Sequence, residues 1–265
     1  VITELGLERV VERGRQMLGK TEAESQITHL PPPVRLRKVM EELGPTFVKL
    51  GQVLSTRADL VPPAWAKEFE KLQDEVPPAD PRAIQERLDE ELGETRRELF
   101  AEIDDDPMAA ASMAQVHGAR LTDGTQVVIK ILRPGIHETI RSDMAILGAL
   151  AEFVEDHFQN LGYSPVRVVE QFDRELDREI DLSHEGRATD RMRRSFEAND
   201  QVHFPRVYWE ATTSQILTLE RIEGTVLNQI DNDDMSEEIR RRIVANGADA
   251  VFRMCLETGF FHADP

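Results

Sequence analysis

The residues best placed to do chemistry begin with Lys130, which closes the run Val127-Val128-Ile129-Lys130. Upstream lies a small-residue segment, Ala109-Ala110-Ala111-Ser112, and between the two falls Asp123-Gly124. Asp-Gly flanked by strand-like runs signals a two-residue hairpin, because both residues tolerate positive φ. Three β-branched residues in a row predict a strand covered on both faces. A lysine ending such a strand, behind a loop rich in backbone N–H groups, can hold nucleotide phosphates. The plainer alternative is that the lysine only reaches water. An alanine run equally suits a helix start, since alanine is the best helix former, but the hairpin directly after it favours a loop.

A second set is acidic: Glu175, Asp177, Glu179, Asp181 and Glu185. They fall in one long predicted helix that Ser164 caps, with Pro165 at its first position. On a continuous helix Glu179 and Asp181 point to different sides, whereas Asp181 and Glu185 share a face. Carboxylates on one face repel unless a cation lies near them; a solvated face is the simpler reading. A third set sits in the helix expected from Pro45. There Phe47, Leu50 and Leu54 form a buried stripe, and Lys49, Gln52 and Thr56 lie on another face. Asp104-Asp105-Asp106-Pro107 invites a metal reading, but an acidic turn before proline explains it equally well. Cys255 lies in an apolar helical pattern and reads as a buried small hydrophobe rather than a nucleophile.

The elements that position these groups follow from periodicity and breakers. Residues 1–18 read as a helix, Thr21–Pro33 as a linker and Val34–Leu43 as a helix. After the Pro45 helix, a third runs through Trp65, Phe69 and Leu72, and a fourth from Pro81 to Leu92. A strand is expected over Leu99–Ile103. Past Pro134-Gly135 an amphipathic helix carries Ile136, Ile140, Met144, Leu147, Val154 and Phe158. Strands are expected over Val202–Glu210 and Gln215–Glu220. A helix over Ser236–Glu257 should bury Ile239, Ile243, Val251 and Met254.

Bulk properties set limits. The 265 residues are 40% hydrophobic and 31% charged, enough for one large core or two modest ones. Fifty acidic against 32 basic residues give a net charge of −18, a field that repels phosphate backbones and anionic lipid headgroups, so no nucleic-acid partner is expected. The clusters Arg191, Arg193, Arg194 and Arg240 to Arg242 read as solvated helix faces. A single cysteine forbids an intrachain disulfide and suggests a reducing compartment. No apolar run reaches the 18 residues a membrane span requires.

Four separated motifs, in order, resemble the UbiB/ADCK family of atypical protein-kinase-like proteins, which support ubiquinone biosynthesis. Lys49-Leu50-Gly51-Gln52 resembles its K-x-G-Q signature, and Ala109-Ala110-Ala111-Ser112 its alanine-rich replacement of the kinase glycine loop. Glu179-Ile180-Asp181 is similar to its E-x-D motif, and His262-Ala263-Asp264-Pro265 to the start of its catalytic loop. Each pattern is weak alone. The set, with Lys130 correctly placed, is specific.

The resemblance implies an α+β, protein-kinase-like fold with a helical amino-terminal extension. Residues 1–95 would be that extension, 96–223 an N-lobe with an antiparallel sheet and helices, and 224–265 the start of a truncated C-lobe. It implies that Lys130 holds the α/β-phosphates of ATP or ADP and pairs with Glu185, and that Asp264 is the catalytic-loop aspartate. Ala109, Ala110, Ala111 and Ser112 would lie against nucleotide, and the strand end at Glu220 with Ile222 would form the hinge that meets adenine. Lys49 and Gln52, with Glu179 and Asp181, would be regulatory: Lys49 approaches Glu179 and its helix closes the groove where a kinase holds a peptide. The function implied is an ATPase that acts on or extracts hydrophobic quinone precursors among ubiquinone-biosynthesis proteins. Alternatives are a non-enzymatic nucleotide-gated lipid-binding scaffold and a conventional protein kinase. The family continues past this point to an asparagine and Asp-Phe-Gly, which hold Mg2+. The chain is therefore expected to be a soluble fragment, inactive alone. Its full-length form would work at the cytoplasmic side of the inner membrane, attached through the missing carboxyl-terminal part.

Overall fold

The computed structural model describes residues 30–57, 59–72, 76–158, 162–225, 230 and 235–261. The expected helix over residues 1–18 and the motif at 262–265 lie outside the described residues. The chain forms two compact units, each discontinuous in sequence. One comprises the segment ending at Asp80 with Ala109–Gln115 and Leu132–Ile180; the other comprises Pro81–Met108, Val116–Ile131 and the segment from Asp181.

The first unit is helical. It holds α1 (Pro32–Leu43), α2 (Pro45–Ser55) and α3 (Pro63–Phe69), then α6 (Ile136–His157) and α7 (Pro165–Glu179). Proline opens α1, α2, α3 and α7 near the first position, where its missing N–H costs nothing. Ser164 caps α7 by accepting from the Arg167 amide at 3.2 Å. Phe47, Val48, Trp65, Phe69, Leu72, Leu147, Ala151, Phe172 and Leu176 are buried and form the interior. Arg37 of α1 donates through Nε to Glu68 of α3 at 2.8 Å, and Lys71 donates to the other Glu68 oxygen at 2.5 Å. Hydrogen bonds from Lys71 and then Arg37 hold the Glu68 carboxyl below the usual carboxylate range.

The second unit is built on a sheet. Helices α4 (Pro81–Leu92) and α5 (Glu94–Leu99) lead into β1 (Phe100–Ile103). The short β2 (Ala109–Ala110) falls in the first unit's segment; strands β3 (Ala114–Leu121) and β4 (Gln126–Leu132) form a hairpin, and β5 (Ile216–Glu220) completes the order β1-β3-β4-β5. Gly124 turns the hairpin at φ 91°, and the Asp123 carboxylate accepts from the Thr125 amide at 2.9 Å. This carboxyl is held low by those bonds to Thr125. Helix α8 (Leu182–Ser195) packs on β5, and α9 (Glu237–Arg253) runs into a π turn at Met254–Thr258.

Several expectations are corrected. Val202–Glu210 is not a strand: its ladder pairing with the sheet is one isolated bridge, Val207 to Leu219, after which it coils into a 3-10 turn at Trp209–Ala211. Helix α9 buries Ala250, and the π turn buries Met254, whereas Ile239, Ile243 and Val251 are exposed. Cys255 is exposed as well. Met254 packs with Met192, Phe196 and Ala250, while the neighbouring Cys255 faces outward.

Candidate functional site

Strand β4 alternates sharply. Val127, Ile129 and Ile131 are fully buried, while Val128 and Lys130 on the opposite face are only half-buried. The strand is thus covered on one face rather than both, and the open face carries the lysine. Antiparallel pairing to β5 fixes Lys130 opposite Leu217. From there Lys130 Nζ donates to Glu185 Oε2 at 2.6 Å, both side chains keeping partial access to solvent.

Glu185 is fixed by a helix start that the continuous-helix reading did not anticipate. Helix α7 ends at Glu179, Ile180 turns the chain, and Asp181 is the N-cap of α8. Its carboxylate accepts from the Ser183 amide at 3.0 Å and the Ser183 hydroxyl at 2.5 Å. Asp181 and Glu185 therefore do not share the face of one helix. Aspartate favours this boundary because its short side chain satisfies an amide that the helix leaves unpaired. Burial alone would push the Asp181 carboxyl up; the bonds from Ser183, with the charges of His184 and Arg187, outweigh it and hold it below the usual range. Capping in this way places Glu185 in the first turn of α8, aimed at Lys130. At the end of β5, the Glu220 amide donates to the Arg206 carbonyl at 2.9 Å, and its carboxylate accepts from the Arg206 amide at 3.0 Å. The Ile222 side chain is exposed.

In the helical unit, Lys49 Nζ donates to Glu179 Oε1 at 2.6 Å. Gln52 Nε2 donates to the Leu72 carbonyl at 3.3 Å. Between them, a Cβ at Gly51 would lie 2.1 Å from Leu72 Cδ1 and 2.9 Å from Met40 Sδ, and both partners are buried. Glycine is thus required for α2 to approach Leu72, and the three polar or small positions of Lys49-Leu50-Gly51-Gln52 each have a separate packing or bonding reason.

The alanine loop is pinned by a residue that sequence reasoning passed over. Arg133 donates through Nε to the Ala111 carbonyl at 2.8 Å and through Nη2 to the Pro77 carbonyl at 2.7 Å. Its own amide bonds the Met113 carbonyl at 2.9 Å. The Ala111 amide is consumed within the turn by the Ala114 carbonyl at 2.8 Å, and Ser112 is buried. The side chain of Gln115 accepts from the Ala79 amide at 2.9 Å. Only the position of Arg133, just past the strand, could have flagged it; no periodicity does. Asp264 lies outside the described residues. Among the described residues no group of three or more His, Cys, Asp or Glu could hold a metal, so the Asp104–Asp106 turn is not a cluster of that kind.

Residues 71–265 match the ABC1 atypical kinase-like domain. The chain belongs to the ABC1 atypical kinase-like family, the UbiB/ADCK group. It is similar to the Probable protein kinase UbiB of Marinobacter nauticus, 38% identical over 231 residues that cover 87% of this chain and 42% of the relative. The same name is carried by a Pseudomonas aeruginosa relative, 38% identical over 233 residues, 87% of this chain and 43% of that one. An uncharacterised Synechocystis protein, sll1770, is 40% identical over 231 residues, covering 87% and 40% of the two chains. The chain thus spans about two-fifths of the length of these curated relatives. A solved structure of Mycobacterium tuberculosis Rv3197 with erythromycin aligns at a TM-score of 0.54 and 26% identity, over 76% of this chain and 50% of that one. The antiparallel sheet with its attendant helices is the kinase-like α+β fold of that family.

Proposed function

We propose that the full-length protein containing this chain is a nucleotide-binding, kinase-like ATPase that supports ubiquinone biosynthesis by acting on or extracting a lipid quinone intermediate. The Lys130–Glu185 pair carries this reading. A strand-borne ammonium held at 2.6 Å by a carboxylate, and still open to solvent, is oriented to meet the α/β-phosphates of ATP or ADP. Glu185 orients the ammonium and limits the rotamers it can lose on binding. Asp264 would accept a hydrogen bond from the attacking group. Bound nucleotide would supply the phosphoryl group, and no step is assigned to the Mg2+ that would accompany it. The parts played by Ala109 to Ser112, Glu220 and Ile222 rest on the motif order.

The lipid arm of the proposal is supported by an apolar cavity of about 210 Å3 in the helical unit, walled by Leu50, Leu54, Trp65, Leu150, Tyr163 and Val168 among others. Burial pushes the Tyr163 phenol up, so it remains a protonated donor at the edge of an otherwise apolar space. Leu50 and Leu54 belong to the helix that bears Lys49 and Gln52, and we assign that segment the restraint of protein phosphorylation. The solved Rv3197 complex, with erythromycin, favours a second reading, a nucleotide-gated binder of hydrophobic ligands that needs no turnover.

Phosphate release by the full-length protein, with and without an alkylphenol, tests the first reading. Stimulated release that Asp264→Asn abolishes is expected. Steady phosphorylation of a protein substrate, with no ATP hydrolysis in its absence, would overturn it. Complementation by Asp264→Asn, but not by Lys130→Ala, would establish the second reading instead.

A further inference from the structure

Helix α8 has a second chemical face. Glu185 points to Lys130, whereas Arg187, Asp190, Arg191 and Arg194 fall roughly 140–240° around the helix from it at about 100° per residue. These four, with Ser195 and Trp209, line a cavity of about 480 Å3. Three guanidiniums against one carboxylate leave a surplus of two positive charges, on a chain whose net charge is −18.

The wall is preorganised. Arg191 sits over the Phe260 ring, its Cζ 4.2 Å from the centroid. Asp190 is largely buried and holds both Arg193, at 3.2 Å, and Arg194. Trp209 is seated against the helix at Gly186, where an added Cβ would lie 3.1 Å from its ring, yet the residue keeps 40% of its surface exposed. Among the described residues Arg187 makes one long ion-pair contact, 4.0 Å to Asp181, and its side chain is open to solvent. A solvated basic face would spread its arginines away from one another. Here three of them border one concavity, together with Trp209.

We propose that this cavity is a binding site for a phosphate group, carried either by a soluble ligand or by an anionic lipid headgroup, on the face of α8 opposite Glu185. Guanidinium forks match phosphate oxygens in pairs, and a surplus of two charges suits a phosphate of one to two negative charges. The Trp209 edge would contact whatever apolar part adjoins the phosphate.

The test uses the full-length protein in a Lys130→Ala background, which separates this site from the nucleotide pair. Inorganic phosphate is titrated by calorimetry, and phosphatidylglycerol-doped phosphatidylcholine vesicles are assayed by co-sedimentation against pure phosphatidylcholine. Arg187→Gln with Arg191→Gln should weaken binding of at least one probe by about tenfold or more, the loss of one or two charge-assisted hydrogen bonds. Arg240→Gln with Arg242→Gln removes equal charge from α9 and should cost under about threefold, as expected for solvent-screened charges. Should the first pair unfold the protein, Arg187→Gln alone serves, since its ion-pair contact among the described residues is long. An effect on inorganic phosphate identifies a soluble ligand, and a vesicle effect alone identifies a headgroup. Binding of neither probe, or equal losses in the two double variants, would overturn the proposal.

Discussion

Among the described residues, two lysine–glutamate pairs join residues far apart in sequence, one pair in each unit, and both close to 2.6 Å. Lys49 and Lys130 are also similarly exposed, at 27% and 33% of their side-chain surface. Distance and exposure therefore do not distinguish them; their frames do. Lys130 stands on a central strand whose alternate residues Val127, Ile129 and Ile131 have no solvent exposure, and its partner sits in the first turn of a capped helix. Lys49 stands on a helix whose close approach to Leu72 depends on a glycine, and its partner is the last residue of α7. The first pair is held by packing that is costly to disturb. The second is held by a helix that one methyl group would displace. A ligand-binding charge needs the first kind of frame, and a contact that can be released suits the second.

The sharpest way to break the contrast is to damage each frame without touching either pair. Ile129→Ala removes a fully buried side chain beside Lys130 and should cost about 2–5 kcal/mol by chemical denaturation. Gly51→Ala forces Leu72 and Met40 aside and should cost about 1–3 kcal/mol, with Lys49 displaced from Glu179. If Gly51→Ala proved neutral, the close approach of α2 would not be what positions Lys49.

Much of this was legible in advance, for definable reasons. Asp123-Gly124 admits few backbone shapes, so the hairpin and the placement of Lys130 followed from local chemistry. Prolines at 45, 81 and 165 fixed helix starts, since only first-turn positions tolerate them. What was hidden depends on tertiary context. Asp181 looked like one more helical acid, and its role as a cap is decided by the break at Ile180. Ile239, Ile243 and Val251 have helical spacing but are exposed, so periodicity named a stripe without naming its partner. Arg133 and Gln115 bond backbone groups of residues far away in sequence, which no window reveals.

Smaller effects sharpen the account of Glu185. Asp181→Ala removes the α8 cap and should cost about 1 kcal/mol, whereas Asp181→Asn, a competent cap, should cost less. Because the folded Asp181 carboxyl titrates below its unfolded value, its contribution is present above the ordinary carboxylate range and is lost as pH falls through the folded value. Acid melts of wild type and Asp181→Asn should therefore converge at low pH; a gap that stayed constant would contradict this. Lys49→Ala should change stability least, by under about 1 kcal/mol, as for an exposed ion pair.

The most direct measurement is the affinity of the full-length protein for ATP and ADP, by calorimetry, in Lys130→Ala and Lys49→Ala side by side. Loss of a charge-assisted contact to phosphate predicts a weakening of about tenfold or more for Lys130→Ala, and little change for Lys49→Ala. Undiminished nucleotide affinity in folded Lys130→Ala would contradict the assignment of the Lys130–Glu185 pair as the phosphate-holding site.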